Sequence, residues 1–196
     1  MKIISWNLLH SVGATLDEVA HLAEREQPDL LLMQEATDVM EQLAVRIGGY
    51  FARNPLPGRI HGLAAWKPSP FPQAPHQIAL QPGIFVKRIS QIVSLEHFAI
   101  ANVHLSHGQL MNRRQLRLIA RHLPPHAMII GDCNMVGPPL LPGFRDVGER
   151  NPTHQMGKMV PLRLDRCLIR NLRCARAEIL GRAGSDHRPI AVWVDV

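Results

Sequence analysis

The strongest constraint on this chain is a recurring pair: a short, mostly apolar run with a polar side chain at its edge. Asn7 follows Ile3–Trp6, and Gln34-Glu35 follows Leu30–Met33. His104 closes Phe98–Val103, and Gly131-Asp132-Cys133-Asn134 follows Met128–Ile130. Asp165 stands near the start of Leu164–Ile169, and Ser185-Asp186-His187 precedes Ile190–Val194. Runs this short suit buried strands. Strand ends in layered α/β folds place side chains accurately and tend to converge on one rim. The spacing therefore predicts a shared site.

Helical patterns fall between these strands. Thr15 and Glu18 form a capping box, followed by the stripe Leu16, Val19, Ala20 and Ala23, which Pro28 ends. Met40, Leu43, Ala44 and Ile47 predict a second helix stopped by Gly48-Gly49. Leu116, Ile119, Ala120 and Leu123 mark a third, with Arg113, Arg114, Arg117 and Arg121 on its surface. The Pro-rich stretch from Pro55 to Pro82 predicts short strands, such as Leu63–Trp66 and Gln77–Leu80, broken by turns. Ala175–Leu180 completes the strands, and Gly137–Gly143 is a Pro-rich loop. Strands outnumber helices, which predicts a mixed α/β protein with two packed sheets and outer helices. No linker divides residues 1–196, so one domain is expected.

The net charge of +6 and the pI of about 9.9, carried mostly by Arg, favour anionic partners such as nucleic acid or phosphate esters. No apolar run approaches the ~20 residues of a membrane-spanning helix. The start, Met1 to Asn7, reads as a strand rather than a signal peptide, so a cytoplasmic location is expected. Cys133, Cys167 and Cys174 are odd in number and lack a C-x-x-C spacing, and each is expected to be a small buried residue. Nothing in the chain fixes an oligomeric state, and a monomer is the default expectation.

The edge residues form a coherent chemical set. Carboxylate and amide oxygens suit a hard divalent cation. A further carboxylate can orient or deprotonate a water, and a His beside an Asp can stay protonated and stabilise an anion. These are the parts of phosphoryl transfer to water. His104 and His107 have an H-x-x-H spacing, but they follow a strand and lack a third soft ligand, which disfavours zinc.

Six motifs occur in a familiar order: Trp6-Asn7, Gln34-Glu35, Asn102-Val103-His104-Leu105, Gly131-Asp132-Cys133-Asn134, Arg163-Leu164-Asp165-Arg166 and Ser185-Asp186-His187-Arg188-Pro189-Ile190. Together they resemble the endonuclease/exonuclease/phosphatase superfamily of DNase I-like nucleases, apurinic endonucleases, neutral sphingomyelinases and inositol polyphosphate phosphatases. His61–Trp66 resembles the strand before the family's middle hairpin, and Arg114-Gln115 its Arg/Gln-bearing helix. The resemblance implies a four-layer α/β/β/α sandwich and hydrolysis assisted by Mg²⁺ or Mn²⁺. It implies that Glu35 is the principal metal ligand, with Asn7 beside it and Asp186 completing the metal environment or its second shell. Asp132 would orient the attacking water and accept its proton, and Asn134 would hold a phosphate oxygen. His187, oriented by Asp165, would stabilise transition-state charge. His104, on the opposite side, would help protonate the leaving oxygen.

There are departures from the family pattern. Cys133 replaces the usual Phe and is expected to point into the core. Leu8, Leu9 and His10 follow Asn7, where apurinic endonucleases carry an acidic or amide residue and then Gly. This weakens a DNA-repair reading. Long substrate-gripping insertions are missing. A phosphodiesterase or nuclease is the leading expectation, with a phospholipid- or inositol phosphate-type phosphatase as the alternative. A non-catalytic nucleic-acid-binding module is the alternative of another class.

Overall fold

The apolar runs build two six-stranded mixed sheets packed face to face. Helices cover both outer faces, which gives the expected four-layer arrangement. This computed structural model describes residues 1–81, 86–155, 157 and 160–195; Pro82, which closes the Pro-rich stretch, lies outside them. The elements are β1 (Lys2–Asn7), α1 (Leu16–Glu26), β2 (Leu30–Ala36), α2 (Leu43–Ile47), β3 (Tyr50–Pro55), β4 (Gly62–Lys67), β5 (His76–Ala79), β6 (Ile89–Ser94), β7 (Ala99–His104), α3 (Gln109–His122), β8 (Ala127–Asp132), β9 (Arg145–Asp146), β10 (Asp165–Arg170), β11 (Arg173–Ile179) and β12 (Ile190–Asp195). One sheet runs β11-β12-β1-β2-β4-β3 and the other β5-β6-β7-β8-β10-β9. Each contains one parallel pair with a helix in the crossover: β1/β2 across α1, and β7/β8 across α3.

Side-chain alternation explains the layers. Ile3, Leu30, Leu32, Ile100, Met128, Ile130 and Cys167 fill the space between the sheets. Their neighbours Ile4, Trp6, Leu31 and Met33 meet α1 and α2, while Ala101, Val103, Ile129 and Leu168 meet α3. A strand buried on both faces has no polar register, hence the near-continuous apolar runs. The α1 capping box forms as expected, and the helix ends at Gln27 in the left-handed region, just before Pro28.

Some expectations need correction. The second helix divides into a 3-10 turn, Asp38–Gln42, and a short α2. Strands β3, β6 and β9 carry no apolar run in the sequence. β3 is a half-exposed edge strand, and β6 buries Ser90 and Gln91 by hydrogen bonding them. Cys133 and Cys167 are buried as expected, but Cys174 is only half-buried, beside a bulge in β11.

A polar knot joins the sheets under one end of this core. Asn102 donates through Nδ2 to Met33 O, Ala64 O and Gln91 Oε1 at 3.1–3.2 Å. Its Oδ1 accepts from Gln34 Nε2 at 2.7 Å, and the same Gln34 amide donates to Ser5 Oγ. Asn102 is fully buried, and its partners Gln34, Gln91, Met33 and Ala64 are buried with it. Asn102→Ala is expected to cost about 2–3 kcal/mol in urea unfolding, because it leaves several buried polar groups short of a partner. Under 1 kcal/mol would mean that water replaces the amide.

Candidate active site

The inward-facing register continues to the strand ends and turns polar there. On β1 the inward set is Ile3, Ser5 and Asn7; on β2 it is Leu30, Leu32 and Gln34. On β7 it is Ile100, Asn102 and His104, on β8 Met128, Ile130 and Asp132, and on β10 Ile169, Cys167 and Asp165. The β8 register sets Asp132 opposite His104 on one side and Asp165 on the other. Asn7 Nδ2 crosses from the other sheet to donate to Asp132 Oδ2 at 3.0 Å. Gly131 lets β8 lie close against β7: a Cβ there would lie 2.2 Å from Val103 O.

Glu35 reaches the rim by a different device. Alternation alone would point it towards the helices, but β2 shifts register between Gln34 and Ala36. Glu35 takes a φ of +57°, so the bulge turns its side chain to the rim. A non-glycine residue in this region costs about 1–3 kcal/mol and is retained where the surroundings hold it. Here His10 holds it: both its ring Nδ1 and its backbone N–H, the latter at 3.2 Å, contact Glu35 Oε2. Glu35 Oε1 lies 3.8 Å from His104 Nδ1.

Beyond Glu35, the chain of contacts runs unbroken through the site. His104 Nε2 is 3.4 Å from Asp132 Oδ2, and His187 Nε2 is 3.7 Å from the same oxygen. His187 Nδ1 pairs with Asp165 Oδ2 at 2.8 Å. The Ser-Asp-His segment is held in place locally. Ser185 Oγ donates to Asn7 O and accepts the His187 N–H, and Trp6 Nε1 donates to His187 O. Trp6 is therefore core, as expected, and also braces His187.

Burial and charge separate the protonation states. Burial alone would lower the His187 pKa, but Asp165 and Asp132 outweigh it and raise it to about 10. His187 is thus an imidazolium at neutral pH, with Nε2–H free of Asp165. Burial pushes Asp132 up, against the pull of His187, which suits it to accept a proton. Asp165 is held low by His187 despite its burial. Burial, with Arg88 and His187 nearby, drives His104 well below its ordinary value, so it is neutral. It can offer an N–H hydrogen bond but not an imidazolium proton.

Asn134 has a φ of +46°; its N–H donates to Asp132 Oδ1 at 2.8 Å, and its Nδ2 donates to Leu105 O. Asp186 Oδ2 meets His154 Nε2 at 3.2 Å. His154, Asp186 and His187 bring one donor atom each within 4.8 Å of one another. The His154 ring packs against His187, with centroids 4.6 Å apart. Sequence reasoning missed His154, and it noted His10 only as a departure. The signal for His10 was its place three residues after Asn7; His154 lies far along the chain and carried none.

The donor set fits a hard divalent cation. Glu35 offers a carboxylate, and the Asn7 Oδ1, which accepts Leu9 N–H at 3.2 Å, has a lone pair to spare.

Residues 4–187 match the Endonuclease/Exonuclease/phosphatase family. The chain belongs to that family. Its members generally hydrolyse phosphate esters and depend on a divalent metal. Among solved structures, a family protein from Bacteroides vulgatus is similar at a TM-score of 0.81 and 14% identity, over 100% of this chain and 98% of that one. A family protein from Beutenbergia cavernae matches at 0.77 and 16%, over 99% of this chain and 71% of that one. A D. rerio TDP2, humanized by 14 mutations, matches at 0.77 and 16%, over 100% and 99%. At such identities the likeness is one of fold. No curated protein sequence matches the chain. No helix among the described residues is long and apolar enough to cross a membrane.

Proposed function

We propose that the protein is a divalent-metal-dependent phosphodiesterase acting on nucleic acid. The observation that carries this is the pairing of a charged His187 with a buried Asp132 of raised pKa, 3.7 Å apart, on the rim that also holds Glu35 and Asn7. Mg²⁺ or Mn²⁺, when bound by Glu35 and Asn7, would neutralise a phosphate oxygen. Asp132 orients the attacking water and takes its proton, with its own oxygens positioned by Asn7 and Asn134. Asn134 holds a phosphate oxygen. His187 donates Nε2–H to an oxygen that gains charge in the transition state, and Asp165 keeps the ring aligned. Neutral His104 donates a hydrogen bond towards the leaving oxygen. Asp186, beside His154 and His187, would complete the metal's wider environment.

Two open basic cavities favour an extended substrate over a small ester. One, of about 620 Å³, is built on the loop after Asn134 and lined by Arg145 and Arg150, with Arg163 and Arg166 paired to Asp146 at its floor. The other, of about 570 Å³, adjoins His154 and is lined by Arg182 and Arg188. Neighbouring phosphates of a strand would lie in such cavities. In the double variant Arg145→Ala/Arg150→Ala, KM for a single-stranded oligonucleotide should rise about tenfold, and the salt slope should shrink by about 1–2. Turnover of an aryl phosphodiester should stay unchanged. Equal effects on both substrates would remove the strand-binding role.

The direct test is a hydrolysis panel with Mg²⁺ or Mn²⁺: an aryl phosphodiester, plasmid, oligonucleotides, sphingomyelin and inositol phosphates. Cleavage of the diester and the oligonucleotide, abolished by EDTA, is expected. Preferential turnover of sphingomyelin or an inositol phosphate would replace the nucleic-acid reading. Salt-sensitive DNA binding with no turnover anywhere would replace the enzyme reading.

A further inference from the structure

The corner that holds Glu35 contains a nitrogen donor that the proposed chemistry leaves unused. His10 Nδ1 lies directly against Glu35 Oε2. Its position is enforced from several sides. Leu9 and Ser11, on either side of it, have φ values of +54° and +69°, so a tight turn built from non-glycine residues presents the ring. The His10 N–H donates to the same Glu35 oxygen at 3.2 Å, and Leu9 N–H donates to Asn7 Oδ1 at 3.2 Å, which ties both oxygen donors to this turn. The ring face stacks on His61 with centroids 3.9 Å apart and planes inclined by 23°. A cavity of about 280 Å³, lined by both His10 and Glu35, gives solvent access to the pair.

We propose that His10 is a nitrogen ligand of the Glu35-bound cation, so that Asn7, Glu35 and His10 form a mixed oxygen–nitrogen site. The inference rests on the reading that Glu35 holds the metal. Oxygen-only donors suit Mg²⁺, whereas an imidazole shifts preference towards first-row transition ions. Ordered side chains, supporting contacts and an access route favour binding there. The ligand class is a divalent transition ion. Mn²⁺ is the most stringent probe because it stands lowest in the affinity order of that series.

The test is pulsed electron paramagnetic resonance of Mn²⁺ bound to the full chain, with natural-abundance and ¹⁵N-histidine protein. Nitrogen modulation that changes on ¹⁵N labelling is expected in the wild type. It should persist in His104→Ala and vanish in His10→Ala and His10→Gln. Calorimetry should show Mn²⁺ binding weakened about 10–100-fold in both His10 variants, with Mg²⁺ binding much less affected. Mn²⁺ bound in a Glu35-dependent way but without nitrogen modulation would leave the metal reading standing and overturn the ligand role, reducing His10 to a hydrogen-bond partner of Glu35. Modulation that survives in both His10 variants overturns it too. Mn²⁺ binding that Glu35→Gln leaves intact would sink the Glu35 reading itself, and the inference with it.

Discussion

Asp132→Asn is expected to lower kcat for metal-dependent hydrolysis of bis(p-nitrophenyl) phosphate by about 10²–10⁴-fold. Asparagine keeps the shape of the side chain and can still accept the Asn134 N–H. It removes the raised-pKa carboxylate that takes the proton, and its NH₂ would oppose the NH₂ of Asn7. His187→Ala is expected to cost about 10²–10³-fold, the size typical of losing one donor to transition-state charge. The double variant should fall less than the product of the two, because Asp132 and His187 contact one another and act as a unit. Steady-state kinetics on protein with an unchanged circular dichroism spectrum and melting curve is the measurement. If both single variants keep turnover within about threefold of the wild type, the proposed machinery is wrong, since effects of this kind are far larger.

The second large effect is on stability. Asp146→Ala is expected to destabilise the fold by about 3–5 kcal/mol, because it strands two nearly buried guanidinium groups. Arg163 donates to both Asp146 oxygens at 2.8 Å, and Arg166 donates to Oδ2 at 3.0 Å. Arg166 also clamps Met135 O and Val136 O, directly after Asn134. The melting temperature should fall by roughly 10 °C. Burial alone would raise the Asp146 pKa, but the hydrogen bonds and charge of Arg163, with Arg166, bring it below the ordinary carboxylate range. The sign follows: the folded state holds its proton less tightly than the unfolded state. The stabilisation is complete above the unfolded pKa, about 4, and is lost as pH falls through the lowered folded value. Acid titration of wild type against Asp146→Asn by circular dichroism should show this as the wild type's extra loss of stability below about pH 4. A difference that is flat with pH, or a cost under 1 kcal/mol, would show that solvent shields the arginines.

Much of the candidate site was legible because a strand has a period of two. Asn7, His104, Asp132 and Asp165 each fall on the inward register of their strands, at the polar end of an apolar run. Burial on both faces makes such runs visible without any knowledge of partners. The α1 capping box was equally local. β3 and β6 were not legible, because an edge strand is half-exposed and Gln91 is buried through bonds to Ala52 O, Asn54 and Asn102. Glu35 was legible as a residue but not as a direction, since its aim depends on a bulge against β4.

By itself the sequence determined two packed sheets with outer helices and the polar ends of the strands buried on both faces, because these follow from local periodicity and side-chain chemistry. The tertiary structure alone decided which groups meet and in what charge state. Asp186 faces His154 across 32 positions of sequence, and His10 meets Glu35 across 25. Burial then makes His104 neutral, whereas the charges of Asp165 and Asp132 make His187 cationic against its burial, though both are histidines beside Asp132. The physical reason is that contact, desolvation and field strength depend on distance in space, which the order of residues along a chain does not contain.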